Sequence, residues 1–162
     1  MNSKLLQPIL LLIVSAIAAF SIFQNLSTTQ EIIITHDVVT PTATSGSGIG
    51  TVRTFNIPIT VDGVSGPNDY LVGTLTTWVE ASGDKDELRS TDLVFIFGKE
   101  QDQIAMGGIS YYPTAGATLS ANTETIRPII GGTGIYQGAV GQVTSTNLGD
   151  AGWTHVLEVK LP

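Results

Sequence analysis

The segment Arg127-Pro128-Ile129-Ile130-Gly131-Gly132-Thr133-Gly134-Ile135-Tyr136-Gln137-Gly138-Ala139-Val140-Gly141-Gln142-Val143 restricts the possible folds more than any other part of the chain. It reads as a short apolar strand, a glycine-dense corner, and a second strand interrupted by glycine. Glycine adopts backbone angles that residues with a Cβ avoid, and it lets a strand bend or carry a bulge. A sheet that curls closed needs such kinks, so the pattern predicts a barrel wall rather than a flat sheet.

The same glycines form G-x-G-x-x-x-G at Gly132, Gly134 and Gly138, which superficially evokes a dinucleotide fingerprint. That fingerprint needs a helix opening at the glycines, so that its N-terminus meets the pyrophosphate. Here Tyr136 to Thr146 is rich in Gly, Val, Thr and Ser with alternating spacing, and no acidic residue stands at the required distance. The nucleotide reading is rejected.

The remaining chain repeats the strand-and-turn pattern. Eight segments qualify: Glu31–Val39, Thr51–Val61, Tyr70–Ala81, Thr91–Gly98, Gln103–Tyr112, Arg127–Ile130, Tyr136–Thr146 and Trp153–Leu161. Thr51–Val61 alternates most cleanly, with Phe55, Ile57, Ile59 and Val61 on one face. Beyond the first 24 residues, apolar positions nowhere recur at helical spacing over three turns. The expected fold is all-β, a single eight-stranded antiparallel barrel over 31–162, with room inside for side chains or one small ligand. Pro58 and Pro128 lack the N–H a ladder needs, so each should mark a bulge or strand end. Pro41 to Gly50 reads as an unstructured small-residue loop, and Asp84-Lys85-Asp86-Glu87 as a solvated turn.

Residues 1–24 stand apart. Lys4 precedes an uncharged apolar run reaching Phe23, which is the layout of a secretory signal, with Ala16-Ile17-Ala18 as a small-x-small cleavage site. The run is also nearly long enough for an uncleaved signal anchor, which would be the only membrane contact. Residues 25–30 are a polar spacer beginning at the sequon Asn25-Leu26-Ser27. Export places the barrel outside the cytoplasm, yet the chain has no cysteine, so core and sheet closure must hold it without covalent staples. The net charge of -7 disfavours nucleic acid as a partner. Self-association is left open.

The GGTG corner, the aromatic Tyr136 and Gly138 resemble the signature shared by plant dirigent proteins and allene oxide cyclases. Phe95-Ile96-Phe97-Gly98, Gln103-Ile104-Ala105-Met106-Gly107-Gly108 and the closing Gly141-Gln142-Val143 are similar to the cyclases. Thr35-His36-Asp37 and Gly66-Pro67-Asn68-Asp69-Tyr70-Leu71-Val72-Gly73 are similar to dirigent strands. Both families use an eight-stranded barrel with an apolar cavity and no metal or organic cofactor. There they set the stereochemical outcome of a cyclisation or a phenolic coupling. The resemblance therefore implies a barrel that encloses a small hydrophobic molecule and, if it is an enzyme, a cofactor-independent isomerase or cyclase.

The resemblance points to Asp37 as the candidate acid, base or electrostatic stabiliser, while Tyr111, Tyr112 and Tyr136 on predicted strands, Gln137 beside them and the large Trp78 are candidate ligand contacts. A carboxylate can serve that role if burial raises its pKa. Asp37 can equally cap a turn, and the aromatics can simply fill the core. Arg127, just before Pro128 on a short strand, could bind an acidic ligand but reads first as a solvated strand end, and His36 reads as a rim residue. Gln137 stands where the cyclases have an acid, and Gly134, Gln137 and Val140 differ from the dirigent pattern, so neither family's full catalytic set transfers. Metal and triad chemistry fail on residue types: two histidines far apart in sequence, no cysteine and no Gly-x-Ser-x-Gly elbow. Two other classes remain, a non-catalytic small-molecule binder and a structural envelope or wall barrel with a filled cavity.

Overall fold

The computed structural model describes residues 28–113 and 118–162. The leader, its cleavage site and the Asn25 sequon lie outside the described residues. Among the described residues, no helix is long and apolar enough to cross a membrane.

The described chain forms β1 (Thr29–His36), β2 (Ala43–Ser45), β3 (Val52–Val61), β4 (Val64–Val79), β5 (Glu87–Phe97), β6 (Lys99–Tyr112), β7 (Glu124–Thr133), β8 (Val140–Asn147) and β9 (Trp153–Lys160). Every neighbour pairs antiparallel, in the order β1-β9-β8-β7-β6-β5-β4-β3-β2. β1 also pairs with β3 at Ile34↔Val61 and Thr35↔Thr60, which closes the sheet. The result is an eight-stranded antiparallel barrel, with β2 added outside the ring on the edge of β3. Pro41 to Gly50 is therefore not wholly irregular, because Ala43–Ser45 pairs with Val52–Thr54.

Side chains alternate between core and solvent, as the strand period of two requires. Ile32 and Ile34 are buried while Ile33 between them is exposed, and Ile57 and Ile59 repeat the pattern on β3. The apolar cluster of Ile32, Ile34, Phe95, Ile104, Leu157 and Val159 fills the barrel half where β1 begins and β9 ends. Phe97 and Tyr136 close that end, with ring centroids 4.8 Å apart.

The β3–β4 hairpin turns through Asp62 and Gly63, at φ 48° and 79°. Both values are positive, the requirement of a tight two-residue hairpin turn. β4 therefore starts at Val64 rather than Tyr70. The register shifts between Pro58 and Thr60, as Pro58 predicts. On β7, Pro128 still faces Gln142 of β8, but the ladder to β6 ends at Met106↔Ile129.

The glycine corner works as expected, although Tyr136 belongs to a 3-10 turn (Gly134–Tyr136) and β8 begins only at Val140. Gly134 has φ 61°, and a Cβ there would meet the Asp102 carboxylate and come within 2.5 Å of the Gln101 carbonyl. Asp102 in turn accepts a hydrogen bond from Ile135 N–H at 3.2 Å. Gly134→Ala should destabilise the fold by about 1 kcal/mol or more, since it adds steric conflict to an unfavourable φ. Urea unfolding measures this, and an unchanged midpoint would remove Gly134 from the closure mechanism. Farther on, Gly141 lets β8 and β9 approach so closely that a Cβ would collide with the Glu158 carbonyl.

Candidate functional site

The two barrel ends differ in chemistry. Toward the end where β1 finishes and β9 starts, inward positions change from apolar to polar: His36, Arg53, Glu87, Arg89, Tyr112, Arg127, Ser145 and His155. A cavity of about 130 Å³ opens there. Its inner wall is apolar, from Phe55, Ile57, Leu71, Leu75, Leu93 and Met106, and Val39, Pro41 and Trp153 contribute nearer the mouth. All three arginines of the chain line it, whereas Lys85, Lys99 and Lys160 are exposed.

Glu87 is not part of a solvated turn. It is 1 % exposed and anchors a buried polar network. Arg89 donates to it from Nε at 2.9 Å and from Nη2 at 2.8 Å, a bidentate pair. Thr77 donates to Oε1 at 2.5 Å, and Arg53 Nη2 lies 3.4 Å from the same oxygen. Arg89 also lies over the Tyr112 ring, 3.9 Å from its centroid. Two guanidiniums thus share one carboxylate, with alternation on β5 pointing Glu87 and Arg89 inward together.

Arg127 is the third, and its setting differs. It is 5 % exposed rather than a solvated strand end. Its Nη2 donates a long 3.4 Å hydrogen bond to the Tyr112 hydroxyl, and its buried Nε has no partner. Among the described residues, the ion pairs are those of Glu87 with Arg89 and Arg53, and none reaches Arg127. Burial pushes its pKa below the ordinary arginine value, with Tyr112 opposing.

The two histidines, distant in sequence, meet across the β1–β9 ladder, where Ile34 pairs with His155 and His36 with Trp153. Their Nε2 atoms are 3.0 Å apart. His36 Nδ1 lies 2.7 Å from the Asp37 carbonyl, and His155 Nδ1 lies 2.8 Å from Ser145 Oγ. A carbonyl only accepts, so His36 carries its proton on Nδ1 and His155 on Nε2, with the Ser145 hydroxyl donating to His155. Burial, with lesser effects from His36 and Arg127, lowers the His155 pKa to about 3. Burial also lowers that of His36, against the opposing pull of Asp37. Both rings are neutral at pH 7, so the histidine pair orients polar groups rather than supplying a cation.

Of the residues expected at a site, Tyr112 lines this cavity. Asp37 does not: it is exposed and offers only its backbone carbonyl to His36. Tyr111 and Trp78 face outward at 67 % and 57 % exposure, Trp78 donating from Nε1 to Ser90 Oγ. Tyr136 is buried at the opposite, closed end, and Gln137 beside it is exposed. Burial first, then the charges of Asp102, Asp62 and Asp69, raises the Tyr136 pKa. Among the described residues, no three His, Cys, Asp or Glu side chains are grouped to hold a metal ion.

No protein-family model matches the chain, and no curated protein matches it in sequence. Solved structures do match. A pyocyanin demethylase superposes with a TM-score of 0.56 at 19% identity, covering 82% of this chain and 99% of that one. A pterocarpan synthase dirigent protein superposes with a TM-score of 0.58 at 18% identity, covering 82% of this chain and 86% of that one. With its closed, glycine-kinked, eight-stranded architecture, the chain has a dirigent-like barrel fold, shared with both of these solved structures.

Proposed function

We propose that this protein encloses a small, largely apolar molecule in the open half of the barrel and guides its stereoselective cyclisation or coupling. The observation that carries this reading is the cavity itself. Apolar walls below a ring of buried polar groups form the arrangement expected of a small-molecule site. Such a pocket acts by holding one conformer and excluding water, which needs no cofactor. The likeness to a dirigent protein supports the reading at the level of fold. The hydrophobic leader extends it to an exported protein, which N-terminal sequencing of the mature chain tests: a start near Ala18 supports export by cleavage.

Calorimetric titration with 4-phenylbutanamide, a neutral apolar probe, tests enclosure directly. One molecule should bind per chain. Leu75→Trp, which places an indole in the cavity, should weaken binding at least tenfold without lowering the melting temperature. Binding indifferent to Leu75→Trp would contradict the reading, as would the absence of saturable binding by both this amide and the corresponding carboxylate, 4-phenylbutyrate. Guidance is separable from storage by chiral chromatography: a guide changes the isomer ratio of a product that also forms spontaneously, while a binder returns its ligand unchanged. The non-catalytic binder is the second reading, favoured by the outward position of Asp37, the acid expected from the resemblance.

A further inference from the structure

We infer that the molecule held in the cavity carries an anionic oxygen group, a carboxylate or an equivalent oxyanion, received by Arg127. This deepens the enclosure reading and rests on it. The cavity lining contains three arginines and no carboxylate. Arg53 and Arg89 are both directed to Glu87, which lies behind them, whereas Arg127 has no acidic partner among the described residues. Its Nε is buried and unpartnered, and its Nη2 reaches only the Tyr112 hydroxyl, at 3.4 Å. A buried guanidinium without a counter-ion is unfavourable in a folded protein unless something else repays the lost hydration. An oxyanion does so well, because the planar guanidinium presents paired donors matching a carboxylate.

The surroundings favour an anion over a neutral acceptor. Burial keeps His155 and His36 neutral, so neither offers a second cation, and the guanidinium of Arg127 is the positive charge at this wall without an acidic partner among the described residues. Tyr112, stacked under Arg89 and adjacent to Arg127, has a hydroxyl that can donate to the same group. The ligand class is therefore an apolar body ending in one oxyanion, its body against Leu71, Leu93 and Met106.

The test uses a matched pair, 4-phenylbutyrate and 4-phenylbutanamide, titrated calorimetrically into the full chain at pH 7. The carboxylate should bind at least tenfold more tightly than the amide. Arg127→Met should reduce that ratio to within twofold, chiefly by weakening carboxylate binding, and Arg127→Lys should retain a clear preference for the carboxylate. Equal affinities in the unaltered protein would overturn the anion inference and leave enclosure standing. A preference that persists in Arg127→Met would overturn the assignment to Arg127. Failure of both probes to bind would remove the enclosure reading and this inference with it. A readout needing no variant is the Arg127 Nε–Hε NMR resonance, which should move on adding phenylbutyrate and stay fixed with the amide. A resonance unmoved by saturating phenylbutyrate also overturns the inference.

Discussion

Glu87→Ala is expected to destabilise the protein by about 3–5 kcal/mol, the usual consequence of removing one partner from a buried ion pair. The carboxylate is 1 % exposed and receives the bidentate Arg89 pair, Thr77 and the nearby Arg53. Its loss leaves two guanidiniums facing a cavity that already contains Arg127. Glu87→Gln should be milder, because its amide oxygen still accepts from Thr77 and Arg89. The double variant Glu87→Ala/Arg89→Met should recover part of the loss by removing one uncompensated cation. Urea unfolding of the three variants measures this. A single-variant loss below about 1 kcal/mol would place the network in solvent-like surroundings, where exposed pairs contribute that little.

Stability should also fall on the acid side of neutrality by about 2 kcal/mol between pH 7 and pH 5 through His155 alone, given an unfolded histidine pKa near 6.5. In the folded barrel burial lowers that pKa to about 3. The neutral ring's contribution is thus fully present above pH 6.5. Below it the unfolded chain takes up a proton that the folded chain refuses, and stability falls with pH until about 3. His155→Leu should flatten this segment of the stability profile, although it also removes the bonds to Ser145 and His36. A wild-type profile and a His155→Leu profile that fall in parallel from pH 7 to 5 would show that the ring is protonatable where it stands.

Much of the barrel was legible because closure and alternation are written in local residue choice. Phe55, Ile57, Ile59 and Val61 announce β3, and the GGTG corner announces the kink that Gly134 makes at φ 61°. Asp62-Gly63 is itself a two-residue hairpin signal, and the turn it makes extends β4 back to Val64, ahead of the Tyr70 start that alternation alone suggests. The extra strand Ala43–Ser45 left no signal, since its three residues are all exposed and owe their form to pairing with β3.

The site was legible in parity and missed by one position. His36 shares a face with Ile32 and Ile34, so its neighbour Asp37 must face out. Likewise Tyr112 points in and Tyr111 out, Thr77 in and Trp78 out. Arg127 alternates with buried Ile129, and His155 with buried Leu157 and Val159. Strand face rather than residue type decides burial here, which is why a network of polar residues lies inside the barrel. The His36–His155 pairing could not be read from either segment alone, because it depends on the β1–β9 register.

The claim that the open half of the barrel is a binding chamber is tested most directly by the chain's own indoles. The sequence has two tryptophans: Trp153 lines the cavity, and Trp78 lies on the outer wall. In Trp78→Phe, all indole emission comes from Trp153. Titration with 4-phenylbutanamide should then change that emission saturably, at one molecule per chain and with the midpoint found by calorimetry. Emission that stays flat across the range where calorimetry records binding would place the ligand elsewhere and contradict the chamber.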